Sequence, residues 1–314
     1  MAGESILNRP LRIGTRGSPM ALYQAELVRD RLRAAHPELA ADGAVVLVPI
    51  RTTGDRVQTR LLAEIGGKGL FTKEIEEALL DGRIDLAVHS LKDMETVLPA
   101  GLAIGGVLER DDPRDVLVGR AAVTLAGLPQ GARVGTASLR RRAQLLRLRP
   151  DLAVVPIRGN VNTRLAKLEA GEVEALVLAL CGLERIGKSG TIAEILDVAV
   201  MLPAVAQGAL AVECRAIDDT VRALLAPLHH EPTASCVLAE RSMLAALDGS
   251  CRTPIAGLAT IDGDRLGLDA LLLSPDGADA RRGSLSGPVG EAAAIGTALG
   301  ERLRRDAGPE FGFG

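Results

Sequence analysis

The chain contains very few aromatic residues. It has no tryptophan, one tyrosine and three phenylalanines among 314 residues. This scarcity argues against a nucleic-acid-binding surface on which bases stack against aromatic rings. The formal net charge is −3, so the chain as a whole has no positive field that would attract nucleic acid. We therefore expect no nucleic-acid partner, and any anion has to be bound by local clusters of cations.

Signals for export, membrane insertion and metal binding are also missing. Residues 1–10 contain no apolar stretch typical of an export signal, and no apolar run is long enough to span a bilayer. The four cysteines form no CxxC pair and have no metal-ligand spacing with the four histidines. We expect a cytoplasmic protein with free thiols, no membrane partner and no metal site.

An internal echo is the clearest feature that the sequence does contain. Residues 12–15 (RIGT) and residues 133–136 (RVGT) each precede an apolar helical pattern. Downstream, residues 81–88 match residues 170–177, where a helix ends at a glycine and a buried strand follows. Strand-turn-helix units resemble one another in many proteins, but two echoes in the same order favour two related α/β lobes with mainly parallel sheets.

The last part of the chain has a different pattern. A section that begins near His230-Glu231-Pro232 opens with an apolar helical pattern over Ser235–Leu247. An alternating strand pattern follows over residues 266–273, and the sequence predicts a final helix over Gly290–Arg305. We expect a small α+β domain here.

Cations and hydroxyl groups gather beside three predicted glycine turns. A helix N-terminus after such a turn offers free N–H groups, and arginine forks complete a carboxylate or phosphate site. Arginines elsewhere on a helix are more often solvated, which is our interpretation of Arg142, Arg147 and Arg149. The candidates beside the turns are Arg16, Ser18, Thr136, Ser138, Arg140, Arg141, Arg158 and Arg164.

Three further segments each allow two interpretations. The glycine-rich residues 66–71, with Lys68 and Phe71, fit either a plain turn or a lid. Asp93 follows a buried strand and fits either a general acid–base group or a turn residue. Cys251 lies in a loop beside an arginine and fits either a reactive thiol or a small buried hydrophobe.

Six motifs along the chain together resemble the porphobilinogen deaminase family. The resemblance runs from Arg12 to the C-terminal helix, and the last motif, with Glu240-Arg241 upstream, is similar to the family's cofactor-attachment signature. The motifs are Gly66–Phe71, His89–Asp93, Asp112–Asp115, Gly135–Arg141, Leu202–Gly208 and Leu247–Ala256.

The resemblance implies three domains, the first two of the periplasmic-binding-protein type. Domain 1 is expected to span residues 1–108 and 209–226, domain 2 residues 114–202, and domain 3 residues 231–314. The expected fold class is therefore α/β, with two lobes of mainly parallel sheets and a small α+β C-terminal domain.

The resemblance also implies an activity, that of a monomeric transferase in tetrapyrrole biosynthesis. Four porphobilinogen molecules are joined head to tail into hydroxymethylbilane with release of ammonia. The primer is a dipyrromethane cofactor, attached by a thioether to Cys251. Asp93 matches the family's catalytic aspartate, which assists loss of the amine, stabilises the positive pyrrole nitrogens and helps to remove the α-proton.

Carboxylates dominate what the implied site has to bind, because every porphobilinogen carries an acetate and a propionate. Lys68 and Phe71 match a mobile active-site loop, and Gln207 matches a cofactor contact. By resemblance, the positions that bind cofactor or substrate are Arg16, Ser18, Lys68, Phe71, Ser90, Lys92, Thr136, Ser138, Arg140, Arg141, Arg158, Arg164, Arg185 and Gln207.

Two positions depart from the family pattern. The family commonly has Lys-Asp-x-Pro, whereas Met94-Glu95 follow Asp93 in this chain. Glu64 stands where some members have a lysine. We expect the first change to alter the loop after Asp93, and the second to alter the charge before the glycine-rich segment.

Other functions fit the anion sites alone. A two-lobed anion-binding protein would not need Cys251, but it usually carries an export signal. A regulator's ligand-sensing domain would need an attached DNA-reading segment, and no basic helix-turn-helix unit is evident. An inactive deaminase-like homologue is a third alternative, which Asp93, Cys251 and the arginines disfavour.

Overall fold

The structure is a computed structural model that describes residues 9–56, 69, 71–120, 123–248, 253–308 and 311. The chain divides into two compact units. The first unit consists of Met1–Arg110 and Ala209–Ala234, and the second of Asp111–Gly208 and Ser235–Gly314. The chain therefore leaves the first unit after residue 110 and returns to it at residue 209. The three-domain boundaries given above stay a prediction.

Thirteen strands and nine α-helices occur among the described residues. The strands are β1 (Leu11–Arg16), β2 (Val45–Ile50), β3 (Leu86–Ser90), β4 (Leu102–Val107), β5 (Asp115–Gly119), β6 (Arg133–Gly135), β7 (Ala153–Val155), β8 (Ala175–Ala179), β9 (Ile192–Ile195), β10 (Leu210–Arg215), β11 (Ile255–Asp262), β12 (Arg265–Leu273) and β13 (Ala280–Pro288). The helices are α1 (Pro19–Ala35), α2 (Thr53–Arg56), α3 (Lys73–Leu80), α4 (Leu139–Leu148), α5 (Val161–Glu169), α6 (Leu180–Arg185), α7 (Asp219–Leu225), α8 (Glu231–Ala246) and α9 (Ala292–Asp306). Among the described helices, none is long and apolar enough to cross a membrane.

Each unit contains a five-stranded sheet in which four strands run in the same direction. The first sheet has the order β2-β1-β3-β10-β4, and β10 alone is antiparallel to its neighbours. The second has the order β7-β6-β8-β5-β9, and β5 alone is reversed. Apolar clusters fill the space between these sheets and their helices. The predicted α/β class with mainly parallel sheets is therefore confirmed.

The two sheets repeat each other down to individual side-chain contacts. Arg12 in β1 binds Asp85 through its backbone N–H and its guanidinium, and Nη2 also donates to a glycine carbonyl three residues before that aspartate. Arg133 in β6 makes the same set of contacts with Glu174 and the corresponding glycine. The echo in the sequence is thus a structural repeat. In each unit, an arginine on one strand (β1 or β6) binds the acidic residue that directly precedes the neighbouring parallel strand (β3 or β8).

The end of the chain forms a small domain within the second unit. Its sheet is antiparallel with the order β11-β12-β13. Gly296 and Gly300 of α9 lie against α8, and a Cβ on these glycines would come within 2.1 Å of Ala239 O and 2.6 Å of Met243 O. Glycine is required here because no side chain fits between the two helix backbones. The predicted α+β character of this part is confirmed.

The predicted final helix, Gly290–Arg305, is observed as α9 with ends within two residues, whereas the start of α8 differs more. The pattern predicts a helix from Ser235, whereas α8 already begins at Glu231. Pro232 is the second residue of the helix, where its missing N–H costs no intrahelical hydrogen bond. The proline therefore marks the first turn of this helix and not a break before it.

The ion pairs of Asp85 with Arg9 and Arg12 stabilise the first unit. The Asp85 side chain is fully buried and also accepts two hydrogen bonds of 2.9 Å from Arg9. Burial by itself would raise the pKa of Asp85, but the hydrogen bonds from Arg12 and Arg9 hold it well below its ordinary value. The ionised carboxylate therefore stabilises the fold above about pH 4, and this stabilisation is lost as the pH falls below that.

We predict that Asp85→Asn lowers the free energy of unfolding at pH 7 by about 3 kcal/mol, because the arginines lose a buried counter-charge. Glu174→Gln, the corresponding variant in the second unit, should lower the free energy of unfolding by at most about 1 kcal/mol, because that carboxylate is a third exposed. Urea unfolding from pH 7 down to pH 3 measures both, and the deficit of Asp85→Asn should shrink on acidification. Equal costs for the two variants would contradict this account.

Candidate active site

Asp93 lies just past the carboxyl end of β3 in the first unit. β3 ends at Ser90, and one 3₁₀ turn over Leu91–Asp93 follows. The Leu91 N–H donates to Ala209 O (3.0 Å), which fixes the start of the turn. The Asp93 side chain is exposed, and it forms no ion pair with any residue that the structure describes. This carboxylate is therefore open to a ligand at the edge where parallel sheets bind their substrates.

Arg16 ends β1 and lies at the same edge, because β1 and β3 are parallel neighbours. Its guanidinium carbon is 4.1 Å from the centre of the Phe71 ring, which is a cation–π contact. Ser18 caps α1, and its Oγ accepts a hydrogen bond of 3.3 Å from Ala21 N–H. The structure thus brings Arg16, Ser18 and Phe71 to the same edge of the sheet as Asp93.

Ser90 and Lys92 flank the start of the same turn and are half-buried. Ser90 Oγ accepts a hydrogen bond of 2.9 Å from Nε2 of Gln24, a buried residue of α1. Sequence reasoning missed Gln24, because a glutamine within a helical pattern carries no signal of its own. Its amide connects the N-terminal part of α1 to the end of β3.

Glu95, one of the two departures from the family pattern, contacts the end of the glycine-rich segment. Its Oε1 accepts a hydrogen bond of 3.0 Å from Gly69 N–H. The side chain thus links the segment after Asp93 to the residues just before α3, which a proline at this position would not do. Lys68 and Glu64 lie outside the described residues.

A buried ion cluster occupies the corresponding region of the second unit. Asp115, the first residue of β5, is fully buried and accepts hydrogen bonds from Arg140 Nη2 (2.7 Å), Arg141 Nη2 (2.8 Å) and Gln207 Nε2 (2.7 Å). The Nη1 atoms of both arginines donate to backbone carbonyls of the same unit. By resemblance, the arginines were expected to bind ligand carboxylates and Gln207 to contact the cofactor; Asp115 as their common partner was not predicted.

The cluster holds more positive than negative charge. Burial by itself would raise the pKa of Asp115, but Arg140 and Arg141 hold it well below its ordinary value, so the carboxylate is ionised. Two guanidiniums therefore face one negative charge. The Nε atoms of both arginines are buried and have no hydrogen-bond partner among the described residues. The excess positive charge fits a ligand that carries carboxylates.

Gln207 is held in place by an unusual backbone turn. The residue before it, Ala206, has a positive φ of 58°, a backbone conformation that residues other than glycine rarely adopt. Buried Glu240 of α8 accepts hydrogen bonds from Ala206 N–H (2.5 Å) and Ala259 N–H (2.8 Å). Glu240 belongs to the signature noted in the sequence, and its contact with the Ala206 turn is a reason for a carboxylate there.

Two hydroxyl residues precede α4 beside the cluster. Ser138 caps the helix, and its Oγ accepts a hydrogen bond of 3.4 Å from Arg141 N–H. Thr136 is buried, and its Oγ1 accepts one of 3.2 Å from Ser138 N–H. Both residues therefore organise the helix start from which Arg140 and Arg141 project.

The remaining arginine candidates of the second unit differ in their contacts. Arg185 pairs with Asp111 (2.7 Å) and donates from Nη2 to Gly208 O (2.8 Å), at the residues where the chain passes between the units. Arg164 donates from Nε to a glycine carbonyl at the start of α5 (2.8 Å). Arg158 is half-buried and forms no ion pair within the described part of the chain. The second unit thus presents several cations in addition to the Asp115 cluster.

Cys251 and its immediate neighbours lie outside the described residues. Cys181 and Cys214 are buried free thiols, and Cys236 is half-buried within α8. Burial raises the pKa of the Cys214 thiol to about 11. A thiol with such a pKa is almost never ionised at neutral pH, which fits a structural role for this residue.

Comparison with known proteins gives one consistent family. Residues 11–223 match the family model described as porphobilinogen deaminase, dipyromethane cofactor binding domain. Residues 234–305 match the model described as porphobilinogen deaminase, C-terminal domain.

Curated relatives carry the same name. The chain is 54% identical over 302 residues to porphobilinogen deaminase of Paracoccus denitrificans, which covers 96% of each chain. It is 51% identical over 304 residues to the chloroplastic porphobilinogen deaminase of Oryza sativa, which covers 96% of this chain and 85% of the relative. Among solved structures, SsuA, the periplasmic aliphatic sulphonate binding protein of Escherichia coli, aligns at 15% identity with a TM-score of 0.40, over 76% of this chain and 71% of that one.

The Asp115 cluster predicts a large difference between two neighbouring aspartates. Asp115→Asn should lower the free energy of unfolding by about 3–5 kcal/mol, because two buried guanidiniums lose their counter-charge. Asp112→Asn breaks only a partly exposed pair with Arg114 and should cost at most about 1 kcal/mol. Chemical denaturation of both variants gives the comparison, and a similar cost for each would show that Asp115 is not the centre of the cluster.

Proposed function

Because this chain belongs to the porphobilinogen deaminase family, we propose that Asp93 is its catalytic residue and that Cys251 carries its dipyrromethane cofactor. The enzyme is a transferase that polymerises four porphobilinogen molecules into the linear tetrapyrrole hydroxymethylbilane. The observation that carries the proposal for Asp93 is its exposed carboxylate just past the carboxyl end of β3, at the same edge as Arg16, where it forms no ion pair with a described residue.

Asp93 has the chemistry that this polymerisation needs. Loss of ammonia from porphobilinogen leaves a cationic ring system, and a nearby carboxylate stabilises that charge. The amine must leave with a proton, and the α-proton of the ring that is attacked must be removed afterwards. A single carboxyl group that gives up and takes back a proton serves both steps. The carboxylate needs no movement of a bound partner before it acts, since it pairs with no described residue.

The carboxylates of substrate and cofactor are matched by separate groups in each unit. In the first unit, Arg16, Lys92 and the hydroxyls of Ser18 and Ser90 line one edge of the sheet. In the second unit, the excess positive charge of the Asp115 cluster fits an acetate or a propionate. Further cations and donors of the second unit are Arg158, Arg164, Arg185, Thr136, Ser138 and Gln207.

Cys251 is proposed as the attachment residue from the signature Leu247–Ala256 that surrounds it. The cofactor supplies a free pyrrole α-carbon to which the growing chain is added. Cys181 and Cys214 are buried, so neither thiol is accessible for such an attachment. That the enzyme works as a monomer in the cytoplasm stays a prediction, which size-exclusion chromatography and cell fractionation test.

Cys251→Ala should abolish both the covalent cofactor and the activity. The mass of the denatured wild-type protein should exceed its sequence mass of 32.7 kDa by two pyrrole units, and the variant should show the sequence mass alone. Cys236→Ala is the matched control, and it should retain the full excess. A Cys251→Ala protein that keeps the excess mass would place the attachment elsewhere.

Asp93→Asn should fold normally and retain the covalent cofactor, but its kcat should fall at least about a hundredfold, because the amide neither donates nor accepts the catalytic proton. The fold is checked by thermal unfolding, the cofactor by denatured mass, and kcat by release of ammonia. The control is Asp81→Asn, an exposed aspartate elsewhere in the same unit. Wild-type turnover by Asp93→Asn would remove the residue from the mechanism.

A further inference from the structure

The strand that leads to Asp93 carries a buried histidine that contacts a buried glutamate, a pair that the proposed chemistry does not use. His89 Nε2 lies 3.1 Å from Glu213 Oε2, across from β3 to β10. The side chains are only 5% and 0% exposed. Glu76 of α3, which is also buried, faces the pair, and its pKa is raised by burial and by Glu213.

The structural repeat shows that the fold itself does not need this pair. When β3 is aligned on β8 through the echo, His89 corresponds to Leu178. The register of the reversed strands places Val118 of β5 at the position of Glu213 of β10. Both residues of the second unit are buried and apolar. The same architecture is therefore built with hydrophobic side chains at these two positions.

Stability does not explain why the first unit has polar groups there. A buried hydrogen-bonded pair loses its hydration, and well-packed apolar residues at the same positions are often as stable or more stable. The second carboxylate oxygen of Glu213, Oε1, is buried without a hydrogen-bond partner among the described residues, which adds to the cost. A feature with such a cost, four residues before the catalytic aspartate, indicates a role in the site.

The contact between His89 and Glu213 holds the end of β3 to β10 on one side of the sheet. Side chains alternate along a strand, so His89 points to the side opposite to Ser90. Ser90 is bound by Gln24 of α1 on its face (2.9 Å), and His89 is bound by Glu213 of β10 on the other. Asp93 lies one short turn beyond this doubly fastened strand end. We propose that His89 and Glu213 are positioning residues that fix the turn carrying Asp93.

The second unit supplies the variant that tests this proposal, which rests on the catalytic role proposed for Asp93. The double variant His89→Leu/Glu213→Val introduces the two apolar residue types, those of Leu178 and Val118, that the second unit has at these positions. It should unfold at the wild-type temperature or above and keep the cofactor mass. Its kcat should fall about tenfold to a hundredfold, because small displacements of a catalytic group are costly, while KM changes less than about twofold.

Two single variants separate positioning from a general effect of substitution. Glu213→Gln still offers an oxygen to His89 and should retain most of the wild-type kcat. His36→Leu removes another histidine contact of the same unit, to Leu224 O (2.8 Å), and should leave kcat unchanged. Glu213→Gln with the low kcat of the double variant would overturn positioning through this contact.

The remaining outcomes of the double variant also test the positioning role of His89 and Glu213. A folded double variant with wild-type kcat would overturn the proposal, and failure to fold would make the pair structural and overturn it as well. Asp93→Asn is measured in the same assay. If Asp93→Asn stops turnover and the double variant does not, only the positioning role is wrong. Normal turnover by Asp93→Asn would instead remove the catalytic assignment itself.

Discussion

One buried carboxylate, that of Asp115, determines how the second unit presents its positive charge. Two guanidiniums at the start of α4 would repel each other in an apolar interior, and Asp115 holds them together while Gln207 completes its coordination. Their forks are therefore rigid before any ligand arrives. A rigid, incompletely neutralised site binds an anion without the cost of ordering long side chains, which is the usual advantage of a preorganised polar site.

The two units use the same scaffold but put their buried charges in different places. Ser18 and Ser138 cap equivalent helices, and Gln24 and Gln144 follow each cap at the same distance. The first turn of α4 then carries the arginine pair, whereas the first turn of α1 carries Met20 and Ala21. The first unit instead buries a histidine–glutamate contact between β3 and β10 and leaves Asp93 exposed. One repeat thus gathers buried positive charge, and the other leaves a carboxylate exposed at the edge of its sheet.

Local patterns in the sequence were sufficient for much of this structure. The echo predicted paired strands and helices because strand, turn and cap signals extend over only a few residues. Asp115 as the partner of Arg140 could not be predicted, since it depends on β5 entering the sheet in the reversed direction beside β8. The contacts of Gln24 and Glu95 were missed for the same reason, because both link segments that are distant along the chain.

The position of β10 has a consequence for how the protein is made. β10 lies between β3 and β4, yet it is encoded after all five strands of the second sheet. A ribosome therefore delivers β5 to β9 as one uninterrupted stretch, whereas β1 to β4 emerge early without the strand that joins β3 to β4. During synthesis the sheet of the first unit should stay incomplete until residue 215 has left the exit tunnel. Until then, the edges of β3 and β4 that β10 later covers are open. Chaperones that shield such edges would act on the part of the chain that is translated first.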